Sequence, residues 1–130
     1  MSPSQRPRIL IVEDNRDTQR LLDYQLNTLF DIDLVFGIDE ALERVAQATY
    51  DLYILDINLG EKRTGIDLLN QLRARNLHQH VPALALTAYA LPGDRERFLN
   101  EGFEAYVSKP FLRDDLIRTI RHVLSAHSVS

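Results

Sequence analysis

The sequence predicts an α/β fold in which a parallel five-stranded sheet carries helices on both faces. Three observations point there. Short apolar runs rich in branched residues recur five times along the 130 residues, and a stretch with apolar residues at helical spacing follows each. Runs such as RILIV and LYILD also lack the polar alternation of a strand exposed on one face, as expected for parallel strands buried on both sides. Five strand–helix units in succession imply right-handed crossovers.

The elements follow in order. Residues 8–12, RILIV, form the first strand, and helical spacing of Leu21, Leu22, Gln25, Leu26 and Leu29 predicts a helix over 15–30. DIDLVF (31–36) is the second strand. IDEALERVAQATY (38–50) is the second helix, with Ala41, Leu42, Val45 and Ala46 inward. LYILD (52–56) is the third strand, and GIDLLNQLRARN (65–76) the third helix, facing in through Ile66, Leu69 and Leu72. VPALALTA (81–88) is the fourth strand. PGDRERFLNE (92–101) is a short polar helix that Pro92 opens. EAYVSKP (104–110) is the fifth strand, ended by Pro110, and LRDDLIRTIRHVLSA (112–126) the last helix.

Composition bounds the function. Hydrophobic content of 45% and charged content of 26% suit one soluble globular domain, here 8–126, with short tails at 1–7 and 127–130. The chain has no cysteine, hence no disulfide and no thiolate metal site, which fits a reducing cytoplasm. A net charge of −4 without a dense basic patch argues against direct nucleic-acid binding, and no apolar run reaches membrane-spanning length. The four histidines, at 78, 80, 122 and 127, are scattered as surface residues, and none reads as a phosphodonor.

In open parallel sheets, ligands sit at the carboxyl ends of the strands, where strand order reverses. Those ends hold Glu13 and Asp14, Asp56, Thr87 and Lys109. In a flavodoxin-like doubly wound sheet of order 2-1-3-4-5, the five residues converge. Taken singly, each has an ordinary reading: helix-capping acids, a turn carboxylate, a hydroxyl on a backbone group, a surface lysine. Together at one edge they make a site. Close carboxylates repel unless a cation joins them, and oxygen ligands completed by water suit Mg²⁺ (or Mn²⁺). A carboxylate is also a nucleophile able to take a phosphoryl group, whose charge an ammonium and a divalent cation neutralise.

The motifs LIVEDN, ILDINL, ALTAYA and YVSKPF, in that order and each at a strand end, resemble the receiver domain of two-component response regulators, of the chemotaxis-regulator-like kind, from Arg8 to about Ala126. The resemblance implies that Asp56 is the residue phosphorylated by a sensor histidine kinase or a histidine phosphotransfer protein. Asp14, Asp56 and the carbonyl of Asn58 would ligate Mg²⁺, with Glu13 acting directly or through a water. Thr87, with Ala88 beside it, and Lys109 would meet the phosphoryl group. Lys109–Pro110 would be a cis bond, and Tyr106 an aromatic that changes rotamer as Thr87 moves. Asn58 and Tyr89 lie where the family tunes phosphoryl lifetime. The output face would be the fourth helix, fifth strand and fifth helix, with Phe98, Tyr106 and Phe111 on it. The implied state is a monomer or an activation-dependent dimer, acting on a protein partner as a stand-alone receiver or as one cut from a hybrid kinase.

Two departures stand out. Gly60 occupies the place of a common proline, and Gly65 comes one residue later than usual, so the loop after Asp56 is expected to be longer and looser. One alternative is therefore a degenerate receiver that binds partners without phosphorylation. A haloacid-dehalogenase-type phosphatase would need an acidic residue where Asn58 stands. A flavodoxin-type carrier would need a phosphate loop where the sequence has EDNRD.

Overall fold

The computed structural model describes residues 6–75, 80–88 and 91–128. The strands β1 (Arg8–Val12), β2 (Asp31–Val35), β3 (Leu52–Asp56), β4 (Ala83–Thr87) and β5 (Ala105–Ser108) form one parallel sheet in the order β2-β1-β3-β4-β5. Helices α1 (Arg16–Leu26), α2 (Ile38–Gln47), α3 (Gly65–Arg75), α4 (Asp94–Glu101) and α5 (Arg113–Ser128) alternate with them. Fold class and strand order are those the sequence predicts.

Strand alternation divides the core in two. Ile9 and Ile11 of β1, with Leu84 and Leu86 of β4, face α1 and α5. Leu10 and Val12, with Tyr53, Leu55, Ala83 and Ala85, face α2, α3 and Phe98 of α4. Because β1 and β3 are clothed on both sides, they read as continuous apolar runs. Replacing a fully buried residue such as Ile54 by alanine removes contacts on a closely packed face, a change of about 2–5 kcal/mol.

Several boundaries differ from the sequence reading. Helix α1 stops at Leu26 with Asn27 as its C-cap instead of running to Phe30. Leu21, expected inward, is exposed, because the buried face of α1 runs through Gln19, Leu22, Gln25 and Leu26. The second strand ends one residue early and leaves Phe36 exposed. Helix α2 ends at Gln47, where Ala48 turns extended, and Ala46 lies outward. Pro92 stands in the turn before α4, which Gly93 caps at φ 89°, so that proline precedes the helix rather than opening it. Strands β4 and β5 are trimmed at both ends, and α5 runs from Arg113 to Ser128, two residues past the predicted Ala126.

The topology decides where a site can form. From β1 the chain crosses to β2 on one side, and β3 then lies on the other side of β1, so the crossing connections diverge above β1 and β3. Register brings Val12 beside Leu55, Asp56 beside Leu86, and Thr87 beside Ser108. The polar residues that follow these positions therefore meet at one edge.

Candidate functional site

Glu13 follows the last residue of β1 and is completely buried. Its placement is determined by local hydrogen bonds. The Asn15 backbone N–H donates to Glu13 Oε2 at 2.9 Å, and Gln19 Nε2 donates to the carbonyls of Glu13 and Val35, each at 2.9 Å. Asn15 also N-caps α1, its Oδ1 accepting from the Thr18 N–H at 2.9 Å. Asp14 is exposed at the rim. Sequence reasoning missed Gln19. A glutamine inside a helical run gives no hint that its amide is buried and braces the β1–α1 junction.

Asp56 closes β3 and is 3% exposed. The Ile57 N–H donates to the Leu86 carbonyl at 2.9 Å, which extends the sheet one residue and holds the Asp56 backbone. The Asn58 N–H donates to Asp56 Oδ1 at 3.1 Å. Beyond it the loop is not loose, contrary to the expectation from its length. Asn58 Oδ1 accepts from the Gly60 N–H at 3.2 Å, and Leu59 is buried. Arg63 pairs with Glu61 at 3.0 Å and with Asp39 of α2 at 3.2 Å. Thr64 and Asp67 exchange capping hydrogen bonds at the start of α3: Asp67 Oδ2 accepts from the Thr64 N–H at 2.8 Å, and Thr64 Oγ1 accepts from the Asp67 N–H at 3.3 Å. A Cβ on Gly65 would fall 2.2 Å from the Asp56 carbonyl oxygen, so α3 begins in van der Waals contact with the backbone of the central aspartate. The glycine that comes late in sequence still supplies that close approach.

Thr87, buried, ends β4, with the exposed Ala88 after it. Its carbonyl accepts from the Lys109 N–H at 2.7 Å, placing Lys109 over the site, and the Lys109–Pro110 bond is cis, as expected. Lys109 Nζ lies 3.0 Å from Asp56 Oδ2 and 2.7 Å from Glu13 Oε1. Half-buried Tyr106 packs on Phe98 with ring centroids 5.9 Å apart. Tyr89 lies outside the described residues. His80 sits 2.9 Å from Glu104, away from the acidic edge, in keeping with a surface histidine. Of the basic residues near the rim, Arg63 is taken up by Asp39 and Glu61, and Arg16 stacks 5.8 Å from the Phe36 ring.

Carboxylate oxygens of Glu13, Asp14 and Asp56 all lie within 4.8 Å of one another. Three acids thus face one ammonium. Burial pushes the Glu13 carboxyl up, against the opposing pull of Lys109 and the Asn15 N–H. Desolvation, then the neighbouring Glu13, raises Asp14. Burial alone would lower Lys109, but Glu13 and Asp56 outweigh it and its net direction is up. Acidic groups held against ionisation beside one another, with oxygen donors only, fit a divalent cation.

The Response regulator receiver domain family matches residues 9–121. The chain belongs to that family: it is a receiver domain of two-component response regulators. The polar-differentiation response regulator DivK of Brucella anthropi is 34% identical over 118 residues, which cover 89% of this chain and 94% of DivK. The transcriptional regulatory protein DltR of Streptococcus agalactiae is 35% identical over 115 residues, 88% of this chain but 50% of DltR, so the chain spans about half the length of that relative. Among solved structures, the receiver domain of the sensor histidine kinase PA1611 from Pseudomonas aeruginosa PAO1, which has a magnesium ion coordinated in its active site cleft, superposes with a TM-score of 0.80 at 33% identity. It covers 92% of this chain and 98% of that one. The phosphorylation-independent alternative is not favoured. Among the described residues, no helix is long and apolar enough to cross a membrane.

Proposed function

We propose that Asp56 accepts a phosphoryl group from a phosphohistidine of a sensor histidine kinase or a histidine phosphotransfer protein. The observation that carries this reading is the Lys109 ammonium, 3.0 Å from Asp56 Oδ2 at the mouth of a three-carboxylate cluster. An Asp56 oxygen attacks phosphorus, the P–N bond to imidazole breaks, and an acyl phosphate forms. Glu13, Asp14, Asp56 and Asn58 would hold Mg²⁺ (or Mn²⁺), with Glu13 acting through a water because Lys109 and the Asn15 N–H already engage its oxygens. Bound there, the cation supplies charge neutralisation for the phosphoryl oxygens. Lys109 neutralises another oxygen, and the Thr87 hydroxyl and Ala88 N–H complete the cradle.

The acyl phosphate carries roughly −1.5 to −2 where the carboxylate carried −1, and the extra negative charge draws Thr87 and Lys109 inward. Because the Lys109 N–H is bonded to the Thr87 carbonyl, the two strand ends move together. Tyr106 then repacks against Phe98, which shifts the face made by α4, β5 and α5 and so biases a protein partner, as a monomer or through an activation-dependent dimer. Asn58 and Tyr89 set phosphoryl lifetime. The chain works in the cytoplasm as a phosphoacceptor that catalyses only its own phosphotransfer and dephosphorylation.

The test is incubation with Mg²⁺ and acetyl phosphate, read by intact mass, or with beryllofluoride, read by amide NMR. The reading expects a Mg²⁺-dependent phosphoryl adduct, absent in Asp56→Asn, and shifts spreading from Asp56 to Tyr106. An unmodified mass with silent spectra would sink it.

A further inference from the structure

We propose, resting on the metal-binding reading above, that Gly60 is a positioning residue for the cation: the bare backbone of the β3–α3 loop is the floor on which the Asp14 carboxylate lies. Gly60 has φ 71°, in the left-handed region, and a Cβ built on it would sit 2.8 Å from Asp14 Oδ2. Real Cβ atoms do not approach an oxygen so closely, so one of the two groups must move. The loop cannot readily retreat. Its turn is closed by the Gly60 N–H on Asn58 Oδ1 at 3.2 Å, its Leu59 is buried, and Arg63 ties it to Asp39 of α2 at 3.2 Å. The Asp14 carboxylate, at the end of a rotatable and exposed side chain, is what yields. Asp14 is one of the three carboxylates whose oxygens lie within 4.8 Å of one another, and displacing it opens the cluster on its exposed side. Proline, with φ locked near −65°, cannot adopt this turn at all. The glycine therefore does more than permit a bend: it is the space the rim ligand occupies.

The experiment is Mg²⁺ titration of the full chain by amide NMR shifts and tyrosine fluorescence, with far-UV circular dichroism confirming the fold. Gly60→Ala is the main variant. Gly60→Asn adds a Cβ while tolerating the left-handed backbone, so it reports even if alanine impairs folding. Gly93→Ala is the control, because Gly93 has φ 89° with nothing within 4 Å of its Cβ position. Both Gly60 variants should raise the Mg²⁺ Kd by about tenfold or more, in the range expected when a residue orienting a ligand is lost. Gly93→Ala should leave it unchanged. In an Asp14→Ala background, Gly60→Ala should have no further effect, since the group it displaces is already gone. Equal affinity in the wild type and both Gly60 variants overturns the proposal, as does an equal loss in Gly93→Ala. A wild type that binds no Mg²⁺ overturns the metal reading itself, a result distinct from either.

Discussion

Asp56→Asn should make the metal-free protein more stable, although it alters the central residue of the site. Asp56 faces two carboxylates, Glu13 and Asp14, with oxygens within 4.8 Å, and one ammonium at 3.0 Å. At an effective dielectric constant of about 20, each repulsion at 4.8 Å is worth at least ~3.5 kcal/mol, whereas the Lys109 attraction at 3.0 Å is worth ~5.5 kcal/mol. The balance is net repulsion of about 1–2 kcal/mol. Asparagine removes it while its Oδ1 can still accept the Asn58 N–H, and Lys109 keeps Glu13 as its partner. For a domain of this size that is a rise in Tm of roughly 4–7 °C. The assay is urea unfolding of both proteins in EDTA and again in saturating Mg²⁺. In EDTA the variant should unfold at higher urea with an unchanged m-value. In Mg²⁺ the wild type should overtake it, because binding at a hundred times Kd adds about 2.7 kcal/mol and the variant has lost a ligand. An Asp56→Asn protein less stable than the wild type in EDTA would refute the electrostatic reasoning.

Other outcomes follow from the same geometry. Lys109→Met leaves the fully buried Glu13 and nearly buried Asp56 without their cation and should destabilise the metal-free fold by about 2–3 kcal/mol; that is below the usual loss for breaking a buried pair because the lysine side chain is 21% exposed. Lys109→Ala should still take up a phosphoryl group but leave the Tyr106 amide unshifted by NMR. The raised Glu13 and Asp14 give Mg²⁺ binding a defined pH dependence. Protonated carboxyls do not ligate, so affinity should fall with decreasing pH from a higher value than ordinary carboxylates allow, as calorimetric titrations at stepped pH would register. Lys109 has the opposite sign: raised in the fold, its stabilisation is present at neutral pH and lost only as pH climbs through its elevated range. Tyr50→Phe removes the hydroxyl that donates to Asp33 at 2.6 Å and is pushed up to about 12 by burial and by Asp33. It should cost about 1 kcal/mol in urea unfolding without changing phosphorylation of Asp56, because Tyr50 lies at the amino end of the sheet.

The parts of the fold legible in sequence are those with a periodic or positional cause. LYILD is apolar because β3 is buried on both faces, and its aspartate stands out because a carboxylate does not belong at the end of such a run without a partner. Helix ends were less legible. Leu21 and Leu29 extend the apolar pattern of α1, yet Asn27 caps it, and whether a leucine at the margin of the stripe faces core or solvent depends on packing against α5 and the sheet. Gln19 left no trace at all, since its role depends on a carbonyl from the neighbouring strand. The loop after Asp56 is better anchored than its length suggests, for a physical reason. Counting residues measures chain length, but looseness depends on anchors, and those of this loop come from Asp39 and Asp67 outside it.

That loop explains how an acidic edge with more negative charge than its lysine can balance persists in a stable domain. The repulsion is confined to side-chain tips, while the backbones of Glu13, Asp56 and Lys109 are held elsewhere: Glu13 by Gln19, Asp56 by the Ile57–Leu86 bond and the packing of Gly65, and Lys109 by the Thr87 carbonyl. With those backbones held as a frame, the repulsion is relieved by binding a cation, by protonation, or by rotation of the exposed Asp14 carboxylate, whereas an acyl phosphate adds negative charge and so recruits the lysine more strongly. Because the lysine that answers this charge cluster is tied to the Thr87 carbonyl, a change of charge at Asp56 should be felt at both strand ends. Relaxing the frame, by freeing Lys109 from Thr87 or Gly65 from Asp56, should uncouple phosphorylation from any change at Tyr106 even where the acceptor still reacts.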